Sequence, residues 1–469
     1  MFFKQKEKNN AILDVTQGPM VKKLFSFALP IIFTNMMQYS FNAIDKAVVG
    51  TYVGSAALGG VSATSTLITL IVSLFSGLSS GTMVSLSQAL GINDEKGASQ
   101  ISHTAVCIAI IGGLLLGGIG ILFSTPLLLL MDTPADILTY SVNYIRIYFA
   151  GAPFLLLLNY GACILRATGD TIKPTIFIIT GGIVKICLNF IFVAVLKMDS
   201  NGVALSTVIS NCLSSTLILI TLCRKDNCCK IILRNLRITT SKLKRILSLG
   251  IPAGVQASVY GLAGSVLQSS INVFGSASVA GNGASQSIEV YAESFASGLG
   301  MATMTFAAQN FSAKKYDRVK SIIIKACIFS TLLTVAFSCI TIPIRSNLIG
   351  IFIKDNPAAL AMGCERYIYI ISFQFLSTIM SVLEISLRGI GRSTSTMFAS
   401  LIGSCGTRIL WTFTVFKKFP SLKTVYAVYP VSWVVTTLIC LTMLVLTFKE
   451  LNTETRVQNN KDSLAESNL

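Results

Sequence analysis

The sequence predicts an all-α integral membrane protein: twelve transmembrane helices in two six-helix lobes, related by a pseudo-two-fold axis along the membrane normal. Three observations predict it. The 469 residues are 52% hydrophobic and only 12% charged, with a mean hydropathy of +0.71, whereas a soluble domain carries roughly twice that charged fraction. Apolar segments long enough to cross a bilayer, about 20 residues each, recur twelve times. The two halves of the chain also resemble each other at a shift of about 222 residues. A secreted or soluble cytosolic protein is excluded.

The spans read as 24–44, 57–80, 104–125, 137–163, 174–196, 202–223, 246–270, 279–305, 321–344, 367–387, 394–416 and 425–448. Residues 1–23 are polar and lack the apolar core of a signal peptide. The lobes are 24–223 and 246–448, joined by a basic linker, 224–245, and followed by a polar tail, 449–469, expected to be disordered. The 37 Lys and Arg against 20 Asp and Glu give a net charge of +17. With the N-terminus inside, 25 of these cations fall on inner segments and nine, Arg345 and Arg366 among them, on outer loops; Lys185, Lys325 and Arg408 lie in spans. That asymmetry puts both termini and the linker in the cytoplasm of a cell-membrane protein. The excess charge is therefore a topology signal, and no nucleic-acid partner is expected.

The repeat is specific in its details. KKLFSFALP, ending at Pro30, matches KRILSLGIP, ending at Pro252, at a shift of 222. VGSAALGGVSA (53–63) matches FGSASVAGNGA (274–284) at 221. Gly77, Leu78, Thr82, Met83 and Gln88 recur as Gly298, Leu299, Thr303, Met304 and Gln309, and Leu165-Arg166 with Gly169 as Leu387-Arg388 with Gly391. Six spans per half is an even number, so the repeats run parallel and enclose a central cleft suited to alternating access.

Polar residues inside the spans are the candidate site. Asn35, Gln38, Asn42 and Asp45 share one face of the first span. They are either an interhelical hydrogen-bonding stripe or a cavity wall ending in a titratable carboxylate, and an intramembrane acid favours the second reading. Lys185 and Asn189 share a face of the fifth span, and a mid-span lysine requires a partner such as Asp45. Gln286, Glu289 and Glu293 share a face of the eighth span. Two carboxylates four residues apart in low dielectric must hold a proton or share a cation, unless Glu289 sits in a wet vestibule. Glu384 and Arg388 are spaced for a structural i,i+4 salt bridge on the tenth span, and Arg166 is the repeat-mate of Arg388.

Other chemistries are missing. One histidine, His103, and 12 cysteines without a CxxC pair give no metal site; Cys223, Cys228 and Cys229 lack a fourth ligand. The glycine clusters are not followed by Lys-Ser/Thr, so there is no P-loop. No cofactor is expected.

At LPIIFTNMMQYSFNAIDKAVVG, LRATGDTIKP (165–174), LNFIF (188–192) and GLGMATMTFAAQNFSAKKYDRV (298–319) the sequence resembles the multidrug and toxic compound extrusion (MATE) family, over about residues 16 to 448. The resemblance implies an antiporter, not an enzyme, that expels amphipathic, often cationic small molecules in exchange for H+ or Na+. It implies a coupling role for Asp45 and Asn189, a bend at Pro30 and its mate Pro252, and a cavity acid at Glu289; Glu293 has no family counterpart. Where such members often carry a second acid this chain has Val193, and Lys46 replaces the usual Thr after Asp45. Tyr260 and Ser377 stand where some Na+-coupled members carry acids, so the coupling ion is open. A monomer in the lipid bilayer is expected. The alternatives are a lipid-linked saccharide flippase of the same superfamily, which would favour cationic cavity walls, and a membrane-embedded transferase, which a single histidine disfavours.

Overall fold

The computed structural model describes residues 12–53, 55–130, 134–353 and 356–466, and no strand occurs among them. Twelve helical rods follow the predicted order. The first six are Met20–Tyr52, Ser55–Gly91, Glu95–Leu130, Ala135–Ala150 with Ala152–Ala167, Ile172–Asn189 continuing as a π-turn over Phe190–Val195, and Asp199–Arg224. The second six are Thr240–Asn272, Ser276–Ser312, Tyr316–Thr341, Pro357–Gly389, the broken rod 393–416, and Leu422–Glu466. Among the described residues nine rods are individually long and apolar enough to cross a bilayer, and the fourth, bent by 48° at Gly151, makes a tenth. The eighth and eleventh are diluted by polar and small residues, Gln286, Glu289 and Glu293 in the former.

Three expectations are corrected. The tail is not irregular: the last helix runs to Glu466, because nothing from Leu422 onward but Pro430, near its start, interrupts it. The linker is shorter, since the seventh helix starts at Thr240. The tenth helix starts at Pro357, with the Asn356 side chain accepting from the Ala359 N–H at 3.0 Å. Asparagine at the cap followed by proline in the first turn is an N-terminus signature that hydropathy misses. Arg366, assigned above to an outer loop, therefore lies nine residues inside a helix and is buried.

The repeat is visible in the backbone. Gly169 and Gly391 take φ of +93° and +94°, and Asn93 and Lys314 take +56° and +58°, at the same chain offset as the sequence repeat. Pro30 and Pro252 both lie within continuous helices.

The lobes close against each other at the face that carries the linker. A Cβ at Gly77 would lie 2.2 Å from the Gly254 backbone nitrogen, and one at Gly298 would lie 2.3 Å from Ile32 Cγ1. Gly77 and Gly298 are repeat-mates, as are Ile32 and Gly254, so the second span seats on the seventh as the eighth seats on the first. Hydrogen bonds repeat the exchange: Gln88 Nε2 donates to the Gly389 carbonyl at 3.3 Å and Gln309 Nε2 to the Ala167 carbonyl at 3.4 Å. A contact that maps onto itself when the halves are swapped is the signature of a two-fold interface. A strap, residues 12–18, crosses this seam. Leu13 N–H donates to Thr168 O at 3.0 Å, while Asn310 Nδ2 and Arg318 Nε both donate to Val15 O at 3.2 Å.

Toward the opposite face the lobes part. A Cβ at Gly261, Gly264 or Gly283 would meet nothing within 4 Å. A cavity of about 510 Å³ there is lined by Thr69, Leu70 and Ser73 of one lobe and by Tyr260, Gln268, Gln286 and Arg366 of the other.

Candidate functional site

In the first lobe the predicted partners meet. The Lys185 ammonium contacts Asp45 Oδ2, and Asn189 Nδ2 donates to Asp45 Oδ1 at 2.6 Å. Ser206 of the sixth span donates to Asn189 Oδ1, which fixes the amide's orientation toward the carboxylate. Lys185 and Asp45 keep 12% and 15% of their side-chain surface, so the pair is shielded but reachable. The π-turn starts immediately after Asn189, and such irregular turns recur at functional positions of helices. Lys185 also lines a cavity of about 300 Å³ with Asn35, Gln38, Asn42, Thr207 and Asn211. The polar face of the first span is thus a cavity wall, and Asn35 additionally reaches Ser297 of the other lobe at 3.1 Å. Val193 is buried in an apolar cluster with Val48, Val49, Tyr144 and Val203, so the position of the family's second acid is filled by packing.

The second lobe differs from expectation. Glu289 and Glu293 are not left to share a proton or a cation. Arg366 Nη2 binds Glu289 Oε2 at 2.9 Å, and Ser285 Oγ donates to Glu289 Oε1 at 2.7 Å. The Arg366 guanidinium also lies over the rings of Tyr426 and Tyr429, 5.7 and 5.3 Å from their centroids. Glu293 has no hydrogen bond or ion pair among the described residues, and it lines a cavity of about 430 Å³ with Gln286, Tyr260, Gln374, Met380 and Trp433.

Glu384 and Arg388 do not form the expected salt bridge. Tyr260 and Ser400 hydroxyls donate to Glu384 Oε1 at 2.8 and 2.5 Å, while Arg388 Nη2 donates to Gln256 Oε1 at 3.0 Å. Gln256 Nε2 in turn donates to Ser400 Oγ at 2.6 Å, so the two charges of the tenth span connect through a chain of dipoles contributed by two other spans, the seventh and the eleventh. Arg166 reaches Met301 of the other lobe, 3.9 Å from its sulfur.

Sequence reasoning missed Arg366, and left Arg408 without a role. Arg408 is buried in the eleventh rod, over the Tyr429 ring at 5.0 Å, and donates to Ser432 at 3.3 Å. The Asn356-Pro357 cap was the available signal for Arg366. The walls of this cavity therefore carry Glu289, Glu293 and Glu384 against Arg366 and Arg408. Among the described residues no group of three His, Cys, Asp or Glu could hold a metal ion.

Two six-helix lobes, with a cleft shut at one face and open at the other and charged side chains along its walls, have the architecture of a multi-pass membrane transporter. Residues 30–191 and 252–414 each match the MatE family model, and the chain belongs to that family, the multidrug and toxic compound extrusion transporters. It is 32% identical over 308 residues to the probable multidrug resistance protein YpnP of Bacillus subtilis, covering 65% of this chain and 68% of that one. It is 24% identical over 335 residues to the multidrug export protein MepA of Staphylococcus haemolyticus, covering 70% and 74%. Among solved structures, an outward-facing multidrug resistance MATE family transporter of the MOP superfamily superposes with a TM-score of 0.89 at 18% identity, covering 94% of this chain and 99% of that one. A MOP superfamily transporter from Pyrococcus furiosus, described as having a binding pocket of reverse polarity that suggests a different function, superposes at 0.88 and 19% identity, covering 93% and 98%. At these identities the structural matches speak to the fold.

Proposed function

We propose that the protein is a proton-coupled antiporter of the plasma membrane that exports amphipathic cationic drugs, with both termini and the linker on the cytoplasmic side. The observation that carries this reading is Lys185 seated on Asp45. With Val193 in place of a second acid, the carboxylate and ammonium leave the site with no net charge. A sodium ion approaching it meets a resident cation and only one carboxylate, too few hard oxygen ligands for its shell. A proton needs no shell: it binds the Asp45 carboxylate, neutralises it and releases Lys185. The first span then loses its ion pair to the fifth, which is a local event able to bias the lobes between two states.

The substrate end of the reading rests on Glu293. A cationic drug finds there a carboxylate with no ion-pair partner among the described residues, bordered by Tyr260, Tyr429 and Trp433, and aromatic faces stabilise cations and apolar bodies alike. The printed names of YpnP and MepA, multidrug resistance and export proteins, support the same substrate class. Arg366 and Arg408 favour a second reading, transport of a larger anion such as a lipid-linked saccharide. Against it, Arg366 is already occupied by Glu289 and both guanidinium groups by Tyr429.

The test is transport of a fluorescent permanent cation into proteoliposomes driven separately by a pH or a sodium gradient. The proton gradient should suffice, Asp45→Asn should abolish the driven component while the protein stays folded, and Glu293→Gln should impair uptake more than Glu289→Gln. Uptake driven by sodium alone, or normal driven uptake by Asp45→Asn, would remove the basis for proton coupling through this pair.

A further inference from the structure

The linker does more than connect the lobes. Residues 232–239 form an arch whose two feet are pinned to adjacent residues of the third span. Ile232 N–H donates to His103 Nε2 at 3.2 Å, and Thr239 N–H donates to Thr104 Oγ1 at 3.1 Å. The other imidazole nitrogen, Nδ1, is 2.8 Å from the Ser99 carbonyl, so it carries the proton and His103 serves as a fixed acceptor. The crown of the arch, with a 3-10 turn over Leu233–Asn235, holds Arg234 and Arg237.

Beneath the arch lies a cavity of about 460 Å³ lined by Ser99, Gln100, His103, Arg234, Asn235 and Arg237, with no carboxylate among the described residues of its wall. Among the described residues Arg234 and Arg237 have no acid within ion-pair distance, and the side chains of Gln100 and Asn235 make no hydrogen bond. Two guanidinium groups and two amides thus present unspent donors to one space. Nearby, Lys230 pairs with Asp226, and Lys242, in the first turn of the seventh helix, with Asp94.

Depth identifies the level of this space. The lipid-facing belt of the third helix begins at Ile110 and Ile111, 36% and 48% exposed, and continues through Leu114 and Leu115. His103 lies seven residues before it, about 10 Å at 1.5 Å per residue, which is headgroup level. The arch carries exposed Ile232, Leu233 and Ile238 beside its arginines, as a segment resting on a bilayer surface does.

We propose that the tethered arch 232–239 and the adjoining turn of the third span form a phosphate-binding site that takes the headgroup of an anionic phospholipid from the leaflet on the linker face. Guanidinium groups bind phosphate oxygens in paired, charge-assisted hydrogen bonds, and the flanking isoleucines and leucine accept the acyl chains. Free phosphate offers the same anion without those chains.

The test is native mass spectrometry of the full-length protein released from nanodiscs of phosphatidylglycerol and phosphatidylcholine, with inorganic phosphate as a separate probe. Because both leaflets of a nanodisc are alike, the outcome does not depend on which face is cytoplasmic or on which ion drives transport. Retained phosphatidylglycerol, lowered at least tenfold in Arg234→Gln/Arg237→Gln and in Ser99→Glu, but not in the distant control Lys417→Gln/Lys418→Gln, supports the lipid site. Saturable phosphate binding lost in the same two variants supports the anion site with a soluble occupant and overturns the lipid assignment. Equal retention of both probes by wild type and both variants overturns the site.

Discussion

Replacing Arg366 by methionine removes one half of a buried ion pair and leaves the other half in place. Arg366 and Glu289 keep only 2% and 10% of their side-chain surface. After the change Glu289 retains, among the described residues, a single hydrogen bond, from Ser285, and loses the one full positive charge in contact with it there. Breaking a buried pair from one side costs about 3–5 kcal/mol, because the surviving charge is left without solvent or counter-ion. The two cation–π contacts on Tyr426 and Tyr429 are lost as well. For a lobe of this size such a loss lowers Tm by an amount on the order of 10 °C. Glu289→Gln/Arg366→Met removes both charges at once, so it should stand within about 1 kcal/mol of wild type, since an uncharged replacement of a whole pair is near neutral. Scanning fluorimetry of the four proteins of the cycle in one detergent measures both quantities. A cycle whose single effects add, or an Arg366→Met protein that melts with wild type, would show that Glu289 is solvated from the cleft and that the pair is incidental.

Two further outcomes follow from other parts of the molecule. Gly77→Val places a side chain 2.2 Å from the Gly254 backbone, so the lobes must separate at the linker face by about 1 Å to restore contact distance; spin labels at positions 96 and 314 on a cysteine-free background should report a longer distance, and an unchanged distribution would mean the seam yields elsewhere. Lys225, buried at the start of the linker and donating to Thr168 at 2.7 Å, has its ammonium pKa pushed down by burial, partly offset by Asp170. The unfolded chain then holds the extra proton in the window below the ordinary lysine value, so stability should rise as pH climbs toward about 10. Lys225→Met should flatten that rise in melting temperature, and an identical pH slope in the variant would exclude Lys225 as its source.

Much of this architecture was legible because the repeat encodes it twice. The matches at Gly77 and Gly298, and at Gln88 and Gln309, anticipated equivalent halves, and the structure uses the same residues as the crossed seam between them. Asp45 and Lys185 were also legible, since two opposite charges stranded in apolar spans of one lobe have few other partners. The misses share a cause: each depended on residues distant in sequence or on a helix end. Glu384 has Arg388 one turn away, yet hydroxyls from Tyr260 and Ser400, on two other spans, occupy its oxygens first. Glu289 has Glu293 one turn away, yet its partner comes from a helix whose start hydropathy sets ten residues too late.

The strap at residues 12–18 has a consequence for how the chain is made. Its partners on Gln309, Asn310 and Arg318 lie 294 to 303 residues further along. A ribosome adds residues at roughly 5–20 per second, so the segment emerges first and waits on the order of tens of seconds for its docking surface. During that interval the first lobe can insert, pack and offer Leu13 its bond to Thr168, but the partners of Val15 are still missing. Engagement of the strap therefore marks the arrival of the ninth span, and protease protection of residues 12–18 during synthesis would time the joining of the two halves.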